Sequence, residues 1–337
     1  MEHNPATGNK IELITENTLK EKLYENLKRH ELPDYLLYMG AEGAKNWLTL
    51  DRSSTFPVAR GLKTLLEENI DPLVKFIPSN MNLVSVGVGN GEKEQVLLKG
   101  LIRKNSAESP ASARRHLLRY YPIDVNDQFV EMALENVRDL PLEKMGIVSL
   151  IEDLPLLKKY LHPPLLFCIL GNTFCNYEPD SILNLVCENL ESGDLFLFDA
   201  HILPSSDDEE ALWSAKRSIV GAYASRENAL FNMYPLLQHG MVPEDFDFEL
   251  LLSSVESKVA GQLYRTKKTL YILKDTSFEV GSRAVAFKEG DSIRMGFTYK
   301  YTFDQLKTYL EARGFEILKA ILNREGTNTI ILAKKKN

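Results

Sequence analysis

The chain has 337 residues, 44% hydrophobic and 26% charged, which is enough to bury a large core as one complex domain or two and excludes disorder as the default. A formal net charge of −7 argues against a nucleic-acid backbone as the main partner and favours a small molecule. Cys168, Cys175 and Cys187 form no Cys-x-x-Cys pair, the six histidines are scattered, and no run reaches the ~20 apolar residues of a membrane span, so a disulfide framework, a metal site and an embedded protein are all unsupported. The first residues, Met1-Glu-His-Asn-Pro-Ala, lack the positive lead and apolar block of a secretory signal, and the expected location is the cytoplasm.

In chain order, residues 1–75 read as a helical, loop-rich segment, with leucines at helical intervals in 16–29 and a second helix over 58–68. From 82 to about 202, short apolar strand candidates at 83–86, 120–123, 147–151, 165–170 and 195–198 alternate with helix candidates such as 127–138. That rhythm predicts an α/β fold with a doubly wound, Rossmann-like parallel sheet. The basic, small-residue-rich stretch 103–115 reads as a surface loop. After His201 the rhythm stops: a helical segment from 205 towards 237 is followed by 245–252 and by 263–273, the latter with strand-like alternation. The sheet pattern then resumes with a helix over 303–312 and two strands, 314–322 and 329–333. A terminal antiparallel pair of this kind ends the methyltransferase variant of the sheet, whereas dehydrogenase domains more often continue with parallel strands. The expected organisation is therefore a cofactor domain, 76–203 and 298–337, interrupted by a substrate lobe, 204–297, which residues 1–75 join. The lobe is expected to cover the carboxyl edge of the sheet, with the substrate between the two parts.

The most informative run is Gly87-Val-Gly-Asn-Gly-Glu-Lys93, directly after the first strand candidate and leading into a helix candidate. A strand that breaks into a glycine turn and starts a helix exposes backbone N–H groups to a ligand, although glycines also serve ordinary turns. The second strand ends in Asp124, placed to accept both hydroxyls of a ribose or, alternatively, to cap the helix that follows.

Together with these runs, Leu170-Gly-Asn-Thr-Phe-Cys-Asn176, Ala229-Leu-Phe-Asn232 leading to Asp245-Phe-Asp, and Thr298-Tyr-Lys-Tyr-Thr302 make the chain resemble the histidine-specific S-adenosylmethionine-dependent methyltransferases. Members of that family trimethylate histidine for ergothioneine or N-methylate dimethylallyltryptophan. The resemblance implies that Gly87, Gly89 and Asn90, in a turn completed by Gly91 and Lys93, lie against the methionine and ribose of S-adenosylmethionine. It implies that Asp124 holds the ribose hydroxyls, that Glu152 and Asp153, ending the third strand, meet the adenine amino group, and that Tyr38 closes over the cofactor carboxylate. Gly171 and Thr173 would border the sulfonium, and Asn176 would reach an amino-acid substrate through its amide. Asn176, Thr173 and Thr298 are the expected orienting residues, in a substrate wall that includes Phe56, Asn172, Tyr223, Phe231, Asn232 and Gly296. Asn172 and Asn176 also read as turn asparagines, and Trp213, Tyr223 and Phe231 as aromatic core.

Departures from the family pattern bear on the substrate. Gly296 and Thr298 stand where the family carries a glutamate and a serine that recognise imidazole, and Phe56 in Thr55-Phe-Pro-Val-Ala-Arg60 stands where it carries a tyrosine. An unpaired buried polar group costs about 1–3 kcal/mol, so a less polar or larger amine than histidine is expected. The expected chemistry is N-methylation of the α-amino group of an amino acid or derived small molecule by direct displacement. A non-catalytic protein that binds the same cofactor is the alternative.

Overall fold

The computed structural model describes residues 10–108, 118–205 and 209–336. The chain runs through β1 (Lys10–Glu12), α1 (Glu16–Leu27), β2 (Glu31–Leu32), α2 (Gly40–Arg52) and α3 (Val58–Val74) to β3 (Asn82–Val86). It continues with α4 (Glu92–Glu108), β4 (Arg119–Asp124), α5 (Asp127–Asn136), β5 (Glu143–Lys144), β6 (Gly146–Val148), α6 (Leu154–Leu157), β7 (Leu165–Ile169), α7 (Pro179–Asn189) and β8 (Leu195–His201). Helices α8 (Glu209–Tyr223) and α9 (Arg226–Leu237) lead to β9 (Phe246–Ser257), β10 (Gly261–Ile272), β11 (Thr276–Val280), β12 (Arg283–Phe287) and β13 (Ser292–Lys300). The chain closes with α10 (Phe303–Ala312), β14 (Phe315–Leu322) and β15 (Asn328–Lys335).

Successive residues of each central strand enter different cores, which is why these segments read as continuous apolar runs. Leu83, Tyr120, Leu166, Leu195 and Leu332 face one side, beneath α3 and α4. Val84, Tyr121, Phe167, Phe196 and Ile331 face the other, beneath α7 and α10. The sheet has the order β1-β6-β4-β3-β7-β8-β15-β14, with β5 beside β4. Strands β1 to β8 of this sheet pair in parallel, whereas β15 is antiparallel to β8 and to β14. This is the doubly wound sheet with a terminal antiparallel pair that the alternation predicts.

A second sheet, β2-β13-β10-β9, lies in the segment between β8 and α10, apart from β2, which comes from the opening of the chain. Its core combines Leu27, Leu32 and Leu36 with Phe246, Leu270, Ile272 and Ile293. The opening segment does not go to this lobe alone. Strand β1 extends the edge of the main sheet beside β6, and α3 packs on α4 and β15. Three residues are too few to show a strand period, and the apolar stripe of α3, from Leu62 to Leu73, looks the same whichever core it faces.

Two boundaries differ from the periodicity. The strand expected over 147–151 ends at Val148, and Ile151–Asp153 make a 3-10 turn that continues into α6, where Pro155 sits in the first helical turn. Helix α4 carries through Glu108, so the first part of the expected 103–115 loop is helical, while 109–117 lie outside the described residues. Residues 206–208, in the helical segment expected from 205, also lie outside them.

Candidate active site

The carboxyl ends of β3, β4, β6 and β7 open into a cavity of about 290 Å3 whose walls include Gly87, Gly89, Asp124, Ser149, Glu152, Thr173 and Asn176. The lobe contributes Gly296 and Phe297 to it, and the opening segment contributes Asp34, Tyr35, Tyr38 and Trp47. Gly87 has φ +65°, and a Cβ there would lie 2.9 Å from Thr173 Cγ2, so the residue needs both the left-handed backbone and the missing side chain.

Asp124 is oriented by that turn. Its Oδ2 accepts from the Gly89 N–H at 3.0 Å and its Oδ1 from the Asn126 N–H at 3.0 Å. A carboxylate offers about four lone-pair sites, so about two remain for a ligand. The neighbouring Asn126 is the cap of α5, accepting from the Gln128 N–H at 2.8 Å, and its amide also donates to the carbonyl oxygens of Tyr38 and Gly40. The capping reading of Asp124 is thereby removed.

Burial pushes the Asp124 carboxyl up to about 6, against the opposing pull of the Asn126, Gly89 and Val125 backbone N–H groups. The hydroxyls of a ribose, the ligand group expected at Asp124, would donate to the ionised form. Below about 6 the free protein holds a proton that binding must expel, so affinity is present above that value and lost as the pH falls through it. Calorimetric titration between pH 7.5 and 5 is expected to show a loss of up to about tenfold per pH unit below the transition, absent in Asp124→Asn.

The expected cofactor residues separate in space. Tyr38, Gly87, Gly89, Asp124 and Glu152 line the larger cavity, and Gly171 lines a smaller one beside it. Asn90, Gly91, Lys93 and Asp153 line neither. The Asn90 side chain accepts from the Glu92 N–H at 3.2 Å and shapes the turn that opens α4. A Cβ at Gly91 would lie 2.7 Å from Ala133, so this glycine serves close packing of the turn on α5. Lys93 reaches behind Gly171, with its Nζ 3.1 Å from where a Cβ there would stand, and its charge acts on Asp199. Asp153 lies on the 3-10 turn that replaces the end of the third strand, and only its neighbour Glu152 reaches the cavity.

The smaller cavity, about 50 Å3, is walled by Phe56, Gly171, Asn172, Asn176, Tyr223, Phe231, Asn232 and Thr298. Thr173 borders the larger cavity, with its hydroxyl donating to the Leu170 carbonyl at 3.0 Å. Asn176 borders both cavities. Thr298 Oγ1 donates to Asn176 Oδ1 at 2.8 Å, and the Asn176 Nδ2 has no hydrogen-bond partner among the described residues, leaving a donor aimed at the junction. Asn172 supports backbone as well as wall: its Oδ1 accepts from the His201 N–H at 2.8 Å and its Nδ2 donates to the Tyr223 hydroxyl at 3.3 Å.

Tyr223 packs edge-on against Phe56, with ring centres 5.3 Å apart, and its hydroxyl also accepts from Lys300 Nζ at 3.1 Å. Burial lowers Lys300 to about 8, and burial together with the Lys300 charge holds His201, 3.1 Å away, well below the usual histidine range. Phe231 stacks obliquely with Tyr38 and Trp47. Trp213 does not join this aromatic group, and its side chain is exposed.

Position 296 overturns the expectation of a depleted wall. A Cβ on Gly296 would lie 2.0 Å from Asp34 Oδ1, so a carboxylate from the opening segment fills the space beside this glycine. A glutamate introduced there collides with Asp34 and cannot restore a ring contact without displacing it. Asp34, Trp47, Tyr177, Asn228 and Lys268 also line the cavities and escape a reading from sequence. Asp34 and Lys268 are 234 positions apart and belong to no common motif.

A family model described as a histidine-specific methyltransferase, SAM-dependent, matches residues 16–335 of the chain. None of the curated proteins matches it. Among solved structures, an S-adenosylmethionine-dependent methyltransferase from Clostridium acetobutylicum is similar at 12% identity and a TM-score of 0.41, covering 87% of this chain and 98% of its own. SAM-bound CalS10, an amino pentose methyltransferase from Micromonospora echinaspora, is similar at 10% identity and a TM-score of 0.36, covering 87% and 96% respectively.

Proposed function

The chain belongs to the histidine-specific, S-adenosylmethionine-dependent methyltransferase family, and from that premise we propose that it N-methylates the α-amino group of an amino acid or an amino-acid-derived small molecule. The observation that carries this reading is Asn176, at the junction of the two cavities, with one amide atom held by Thr298 and the other open.

The residues present fit the cofactor. Gly87 leaves a cradle that a Cβ would fill, Asp124 keeps lone pairs for two hydroxyls, and Glu152 stands at the rim as an acceptor for an adenine amino group. When bound, S-adenosylmethionine supplies an electrophilic methyl carbon. The protein has to strip water from an amine and aim its lone pair along one line, and orientation of this kind accounts for up to ~7–11 kcal/mol of barrier reduction. Asn176 donates to the substrate, Thr298 fixes the Asn176 amide, and Tyr223, Phe231 and Phe56 close the wall, so the substrate sits between the sheet and the lobe. An α-ammonium group must lose its proton before it can attack.

The case against histidine drawn from Gly296 lapses, because Asp34 returns a carboxylate to that wall, while the case from Phe56 stands. Among the described residues no helix is long and apolar enough to cross a membrane. The three cysteines are free thiols, which supports the cytoplasmic location we assign. A screen of free amino acids and their decarboxylated or prenylated derivatives with methyl-labelled cofactor is expected to label a primary or secondary amine. Label found only on a hydroxyl or carbon acceptor, or on no member of the panel, would sink the N-methylation reading.

A further inference from the structure

Strand β13 bulges opposite Lys268. Its pairing with β10 passes from Lys267↔Phe297 to Thr269↔Arg294, so the single residue Lys268 faces two, Met295 and Gly296. Lys268 itself lies on the regular strand β10 and is buried in alternation with Thr266, Leu270 and Ile272. Here Lys268, only 6% exposed, reaches Asp34 Oδ1 at 2.9 Å and Asn232 Oδ1 at 2.9 Å. Gly296, at the bulge, supplies the room: a Cβ would stand within 2.0 and 2.6 Å of the two Asp34 oxygens.

The ion pair is more than filling. Asp34 borders both the larger and the smaller cavity, whereas Lys268 and Asn232 border only the smaller. Lys268 occupies Oδ1, and Oδ2 has no hydrogen-bond partner among the described residues. A buried ion pair recovers its desolvation cost only when its remaining lone pairs are also satisfied, so an open carboxylate oxygen at a cavity junction calls for a donor from the ligand.

We propose that Asp34 determines substrate specificity: its Oδ2 accepts a hydrogen bond from an N–H group on the side chain of the substrate, selecting amino acids with a nitrogen-bearing side chain over those with a hydrocarbon one. Lys268 is a positioning residue, which holds the carboxylate through Oδ1 and is itself held by Asn232. This assignment rests on the α-amine reading above and deepens it.

The test is calorimetric binding of histidine, tryptophan, phenylalanine and leucine to protein saturated with the demethylated cofactor, for wild type and for Asp34→Asn. Wild type is expected to bind histidine or tryptophan at least about tenfold more tightly than phenylalanine and leucine, and Asp34→Asn to reduce that ratio by about tenfold. Should Asp34→Asn not bind the cofactor, Asp34→Glu carries the same test, because it keeps a charge opposite Lys268 while moving the oxygens by a methylene. A ratio unchanged in the variant, or a wild type without preference, overturns the assignment and leaves the α-amine reading intact. Wild type that binds none of the four and labels no amine in the screen overturns both.

Discussion

Asp124→Ala is expected to weaken S-adenosylmethionine binding by roughly tenfold or more, because it removes two charge-assisted hydrogen bonds, each worth somewhat over ~1 kcal/mol. The side chain stands at the end of β4 with one oxygen on the Gly89 N–H and the other on the Asn126 N–H, so it both shapes the glycine turn and presents the remaining lone pairs to the cavity. Alanine abolishes both roles. Asp124→Asn separates them, since it keeps the shape and one acceptor while removing the charge, and it should fall between wild type and alanine. Titration of the three proteins at pH 7.5, where the carboxyl near 6 is ionised, gives the comparison. Equal affinities for wild type and alanine would remove Asp124 from the cofactor site.

The second large effect is expected at Asn176. Replacement by alanine deletes a junction side chain whose Oδ1 is fixed by Thr298 and whose Nδ2, without a partner among the described residues, is proposed to meet the substrate. A loss of alignment of about 1 Å costs on the order of 10²-fold, so kcat/KM for the preferred amine should fall by about that factor. Cofactor affinity should change by no more than about threefold, because Asp124 and Glu152, the residues proposed for the ribose and adenine, stand elsewhere in the larger cavity. Thr298→Val keeps the volume and removes the hydroxyl that holds Asn176 Oδ1. It should raise KM with a smaller loss of kcat than Asn176→Ala, since the amide remains but is free to turn. A collapse of cofactor binding in Asn176→Ala, or kinetics indistinguishable from wild type, would remove Asn176 from the substrate junction.

The main sheet was legible because its information is local. Leu83-Val84, Leu166-Phe167 and Leu195-Phe196 are buried on both faces, as strands of a sheet covered on both sides are, and Gly87, Gly89 and Asp124 stand at strand ends where a ligand meets exposed backbone. The resemblance pointed further, to Asn176, Asn232 and Thr298, since each lies within a short run whose order along the chain is preserved, and the structure brings these three to the smaller cavity together with Tyr223, which lies in none of those runs.

Other parts of the site depend on segments that meet only in three dimensions. The three residues of β1 have no period to read, and Asn90, Gly91 and Lys93 share a motif with Gly87 and Gly89 yet face α5 or the back of Gly171 instead of the cavity. From the sequence, Gly296 means only a missing side chain. What fills the space depends on β10, whose alternation buries Lys268 with Thr266 and Leu270, and on a turn 262 positions earlier that brings Asp34 against it, as Lys268 itself is 234 positions from Asp34. Sequence alone therefore determined the sheet and its glycine turn, which follow from strand periodicity and backbone chemistry, and its resemblance to a family pointed to the cofactor. Only the tertiary structure decided the charge on the substrate wall, because that charge comes from a side chain whose neighbours in space are remote in the chain.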